Sequence, residues 1–122
     1  MLAQRLRSFR YAFRGIAILV LSQPNARIHL LATLAVTALG IWFQISGMEW
    51  TVLILTISLV LGLEALNTAL EFLVDVISPG YHELAGKAKD VAAGAVLIAA
   101  AGSVAVGLII FAPRLWAWVT AG

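Results

Sequence analysis

Three carboxylates and one amide, Glu64, Asn67, Glu71 and Asp75, stand three to four residues apart in the stretch EALNTALEFLVD. At about 100° per residue they fall within an arc of roughly 80°, so a helix through this stretch carries one polar stripe. Carboxylates at a membrane surface can hold Mg²⁺ and nearby lysines can hold phosphates. A deeper carboxylate can accept a proton from a hydroxyl that stays in lipid. Together these capacities amount to phosphoryl transfer onto a membrane alcohol. The same acids would also line a proton or cation pathway in a small oligomeric membrane protein, so the chemistry of the row leaves two classes open.

The rest of the chain says why a membrane is the right setting. Of its 122 residues 62% are hydrophobic and 11% charged, with a mean hydropathy of +1.01. A soluble domain is usually about 25% charged. The length suits one domain. Without cysteine there is no disulfide, thiolate metal site or cysteine nucleophile. The net charge of +2 is small, but Arg5, Arg7, Arg10, Arg14 and Arg27 cluster at the start, which suits a membrane surface rather than nucleic acid. The short run IAILVL is followed by SQPNAR, without a small-x-small cleavage pattern, so the N-terminus reads as retained.

Four helices are expected. Leu2, Leu6, Phe9, Phe13, Ile16 and Val20 share one face over residues 1–22, opposite Arg7, Arg10 and Arg14, the pattern of an amphipathic helix lying in the interface. Pro24 in SQPN breaks it. Apolar runs over 28–45, 50–77 and 83–112 are long enough to span, with turns at QISGME and SPGYH. Trp42, Trp50, Trp116 and Trp118 read as interfacial anchors, and Pro113 closes the last span. The fold is thus all-α and integral to the membrane, a surface helix plus three transmembrane helices. Seven of the eight Lys and Arg fall on the N-terminal segment and the 78–90 loop, which places those in the cytoplasm and the C-terminus outside. A stripe of small residues, Ala95, Ala99, Ser103 and Gly107, suggests close helix packing and a homo-oligomer.

Depth separates the acids. Counting about 1.5 Å per residue from Trp50, the helix has risen roughly 21 Å at Glu64 and 31 Å at Glu71, against a core of about 30 Å. Glu64 is therefore inside the inner leaflet, where an unpaired carboxylate is usually functional, and Glu71 and Asp75 are at its cytoplasmic surface. YHELAGKAKD adds Lys87, Lys89 and Asp90 at the same face, while Glu83 reads as a solvated helix start. His29 reads as a buried hydrogen-bonding group and Arg27 as a snorkelling cation.

The segment from Glu64 to Asp75, followed by HELAGKAKD from His82 to Asp90, resembles the bacterial diacylglycerol kinase family, which includes undecaprenol kinases. SFRYAFRGI and NARIHL resemble the family's surface helix and first span. The resemblance implies a homotrimer that uses MgATP to phosphorylate a lipid hydroxyl, either undecaprenol, which the non-catalytic helices favour, or diacylglycerol. It implies Glu64 as general base and Asn67 as the organising amide. It implies Glu71 as a metal ligand, with Tyr11, Asp75, His82, Lys89 and Asp90 around the nucleotide. Gln23 stands where many members carry a metal-binding glutamate, so weaker binding of one metal is expected. No Walker-type loop is present, which leaves the nucleotide to helix side chains.

Overall fold

A computed structural model describes all 122 residues as four helices: α1 (Leu2–Ser22), α2 (Pro24–Trp42), α3 (Gly47–Ile77) and α4 (Glu83–Ala121). The last three are long and apolar enough to cross a membrane. Only 11 of the 122 residues are buried, so most large apolar side chains face outward, where lipid or further copies of the chain must cover them. The stripe on α1 is part of that surface: Leu2, Leu6, Phe9, Phe13 and Ile16 are all exposed, and Leu19 is the helix's buried residue.

The helix ends differ from the sequence expectation in four places, each with a local cause. The corner between α1 and α2 is the single extended residue Gln23, and α2 starts at Pro24 rather than at 28. Proline suits the first helical position because its missing N–H would be unpaired there anyway. At its other end α2 stops at Trp42 rather than 45. Gln44, at φ 51°, donates its N–H to Ile41 O, and the Ile45 N–H reaches back to Gly40 O. These paired bonds form a Schellman cap, normally built on glycine.

The third helix begins at Gly47 rather than 50 because Ser46 and Glu49 form a capping box: the Glu49 N–H donates to Ser46 Oγ and the Ser46 N–H to Glu49 Oε1, both at 3.1 Å. The fourth runs through Pro113 to Ala121 instead of ending at 112. Proline inside a membrane helix persists where other groups serve the disturbed turn. Here Arg114 Nη1 donates to Ile110 O at 2.7 Å.

Tertiary packing is dominated by α3 against α4, with α2 beside α3. Ile45, Leu53, Ile110 and Phe111 form a core at one end of the bundle, with Leu39, Trp50 and Val106 packed on it. The same end is fastened by a two-pronged ion pair, with Arg114 Nη1 on Glu49 Oε2 at 2.7 Å and Nη2 on Oε1 at 2.8 Å. Trp50 is half-buried, its indole lying where a Gly40 side chain would project, so it packs on α2 rather than serving only as a lipid anchor. The small-residue stripe of α4 is also used inside the protomer: Ala99 is buried, and Ser103 and Gly107 face Leu53 and Val60 across a small cavity.

Candidate active site

The polar row forms on α3 as a continuous face that changes character along the helix. Glu64 is 2% exposed, the most completely buried large side chain in the protein. One turn on, Asn67 is half-buried and its Nδ2 donates to Glu71 Oε1 at 3.3 Å, the contact expected of side chains four apart on a helix. Asp75, a further turn on, is exposed and pairs with Lys89 at the start of α4. The row thus runs from a closed interior to an open rim, and the rim is where the two helices of the α3–α4 pair are tied across their turn.

Two buried polar atoms on this stretch of α3 have no protein partner, Asn67 Oδ1 and Thr68 Oγ1. A buried acceptor without a donor costs free energy unless something else binds it. Thr68 was not singled out by sequence reasoning, although its place four residues after Glu64 puts it beside the row. It borders an apolar groove of about 340 Å³ between α1 and α3, lined also by Gly15, Leu19, Ala65 and Phe72. A second neighbour comes from α2: His29 Nε2 lies 3.9 Å from Glu64 Oε2.

The other expected site residues are placed less tightly. His82 caps α4, its Nδ1 accepting from the Leu84 N–H at 3.2 Å, and it borders a cleft of about 390 Å³ with Val74, Ile77 and Ser78. Asp90 is exposed, and Lys87 is drawn to Glu83 at 3.3 Å on the solvated helix start. Gln23 Nε2 donates to Ser22 Oγ at 3.3 Å, which leaves its Oε1 free. Tyr11 is exposed on α1 among Arg7, Arg10 and Arg14. Neither Gln23 nor Tyr11 is hydrogen-bonded to the row on α3. No three Asp, Glu or His side chains of one chain converge as a cation cage. A divalent ion here would draw on few carboxylates, which is how Mg²⁺ is usually held when it also binds substrate phosphates.

A buried carboxylate, an unsatisfied amide oxygen and a charged rim, on helices long and apolar enough to cross a membrane, are the parts that phosphoryl transfer onto a lipid would use. Comparison with known proteins gives the same class. The family model of prokaryotic diacylglycerol kinase matches residues 10–111, a range that holds every candidate site residue. Over 109 residues the chain is 42% identical to the undecaprenol kinase of Bacillus subtilis, covering 89% of each protein. It is 46% identical over 109 residues to a diacylglycerol kinase of Synechocystis, covering 88% of this chain and 62% of that one. Against the diacylglycerol kinase of Escherichia coli it is 33% identical over 106 residues, 87% of this chain and 84% of that one. The chain belongs to the prokaryotic diacylglycerol kinase family. It is a membrane-bound lipid kinase with a nucleotide as its other substrate, and the ion-pathway reading of the acids is not favoured.

Proposed function

We propose that the protein transfers the γ-phosphate of ATP to a lipid hydroxyl, with Glu64 as the general base and undecaprenol as the favoured acceptor. The observation that carries this reading is the burial of Glu64, an acid 2% exposed on a helix long enough to span, one turn from Asn67 and Thr68 and two from Glu71. The acceptor hydroxyl gives its proton to Glu64 as its oxygen bonds to the γ-phosphorus. The bond from that phosphorus to the bridging oxygen breaks, and ADP leaves. The groove between α1 and α3 suits an acyl or prenyl chain whose head group reaches Thr68 and Glu64.

At the rim, Asp75, His82, Lys89 and Asp90 would hold the nucleotide, with Tyr11 approaching from α1. The donor set around Asn67 fits a hard cation, because its buried Oδ1 has no partner and Glu71 keeps one oxygen free of the amide. Glu71, Asn67 Oδ1 and the neutral Gln23 Oε1 would hold Mg²⁺, which when bound spreads the negative charge of the phosphates. Three copies of the chain, with the α3–α4 turn and the N-terminus in the cytoplasm, would cover the outward apolar surface and bring the surface helix onto the inner leaflet.

Undecaprenol is preferred because the Bacillus subtilis relative of that name is matched over nearly its whole length. The Synechocystis diacylglycerol kinase keeps diacylglycerol a near second. Purified protein in one mixed-micelle preparation, given MgATP and either undecaprenol or diacylglycerol, is expected to phosphorylate the polyprenol faster. Faster turnover of diacylglycerol would reverse the order, and transfer to neither would remove both acceptors.

A further inference from the structure

A base that takes a proton in every cycle has to lose it again, and Glu64 is poorly placed to do so alone. The carboxylate is almost sealed from solvent. The His29 ring of α2 stands beside it, with Nε2 3.9 Å from Oε2. That is about 1 Å longer than a hydrogen bond, so a small rotation of either side chain closes the gap.

The imidazole itself is not sealed in. With its side chain 23% exposed, His29 lines a cavity of about 80 Å³ between α2, α3 and α4, together with Thr33, Thr56 and Ser103. The three hydroxyls donate to carbonyls of their own helices, Thr33 to His29 O, Thr56 to Val52 O and Ser103 to Ala100 O. Their oxygen lone pairs stay available to accept. The rest of the lining is apolar, from Ala32, Val36, Leu53, Ile57 and Val60, so the hydroxyls mark where one or two waters would sit. Around the ring, α3 contributes Glu64 and α4 contributes only Ser103 and Gly107, which do not titrate. On α2 itself Arg27 is exposed, and the part of α1 buried in the bundle is the apolar Leu19.

We infer that His29 is a relay and positioning residue for the reaction, a role that rests on Glu64 being the base. The ring orients the carboxylate toward the acceptor hydroxyl and then clears it. As the new O–P bond forms, the lipid O–H proton passes to a Glu64 oxygen. From Glu64 it moves to the lone pair of His29 Nε2, restoring the carboxylate and leaving an imidazolium. That cation gives its proton to water in the cavity.

The test assays wild type, His29→Ala, His29→Gln and Glu64→Gln in the same mixed micelles, varying nucleotide, lipid and pH. Loss of His29 is expected to lower kcat about 10- to 100-fold while changing either KM by less than about twofold. The pH profile of kcat should change shape in both His29 variants, and free imidazole should restore part of the kcat of His29→Ala. Wild-type kcat in His29→Ala would overturn the relay. So would a loss that raises both KM values and ignores imidazole, since that is how a merely structural histidine behaves. His29→Gln, close in size and able to hydrogen-bond, guards against misfolding: wild-type kcat with an unaltered pH profile in that variant also overturns the relay. Glu64→Gln separates the two layers, because full turnover there removes the base itself and the relay with it, whereas a dead Glu64→Gln beside a fully active His29→Ala removes the relay alone.

Discussion

At the residue scale, the most informative atoms are those the fold leaves unpaired. Thr68 Oγ1 is buried without a partner, so replacing the hydroxyl by a methyl should not cost stability. Thr68→Val is expected to leave the thermal midpoint in detergent unchanged or raised while increasing the lipid KM, and an unchanged lipid KM would take Thr68 out of the acceptor site. Glu64→Gln keeps shape but loses basicity, and turnover is expected to fall by about 100-fold or more with nucleotide KM near wild type. Gln23→Glu adds charge where a neutral oxygen now stands, so the Mg²⁺ concentration for half-maximal activity should drop. If it does not, Gln23 is not a ligand. The row on α3 is legible in the sequence because helical spacing alone aligns Glu64, Asn67, Glu71 and Asp75. Spacing does not reach the meeting of His29 with Glu64, 35 positions apart, or the isolation of Thr68, which depends on how α1 and α3 lie together.

At the scale of elements, helix type followed from composition, as did the ends at Ser22, Ile77 and Glu83, whereas four other ends did not. Apolar runs of this length have no alternative in lipid, where every backbone group must be paired within its own segment. The ends depend on individual hydrogen bonds: a Schellman cap on Gln44, a capping box that starts α3 three residues early, and an arginine that serves the turn at Pro113. Gly40 is the glycine at which another element approaches closely, since a Cβ there would sit 2.7 Å from Trp50 Cη2. Gly40→Ala should push the indole off α2 and destabilise the protein by about 1–3 kcal/mol, read as a lower midpoint in a denaturant or thermal series. The Glu49–Arg114 pair is geometrically well formed, each guanidinium nitrogen on its own carboxylate oxygen. A double-mutant cycle of Glu49→Gln and Arg114→Met should show positive coupling in stability and no effect on kcat at low temperature. Coupling near zero would mean that solvent and lipid head groups replace the pair.

At the scale of the whole molecule, most large apolar side chains are exposed, a surface that lipid or further copies of the chain must cover. Native mass spectrometry from mild detergent is expected to show a trimer, and a monomer throughout would sink that reading. Orientation can be read cleanly because no native cysteine competes: Tyr81→Cys should react from the cytoplasmic side and Gly122→Cys from the outer side. Burial along the bundle is uneven in a way that matters for turnover. The apolar core and the Glu49–Arg114 clasp sit at one end, whereas no residue of α3 beyond Thr68 and no residue of α4 before Ala99 is buried. The α3–α4 hairpin is thus joined twice, by its covalent turn and the Asp75–Lys89 pair at the site end and by the apolar core and the Glu49–Arg114 clasp at the other. Substitutions in the core and clasp should therefore move the thermal midpoint more than turnover, and those between Glu64 and the turn should do the reverse.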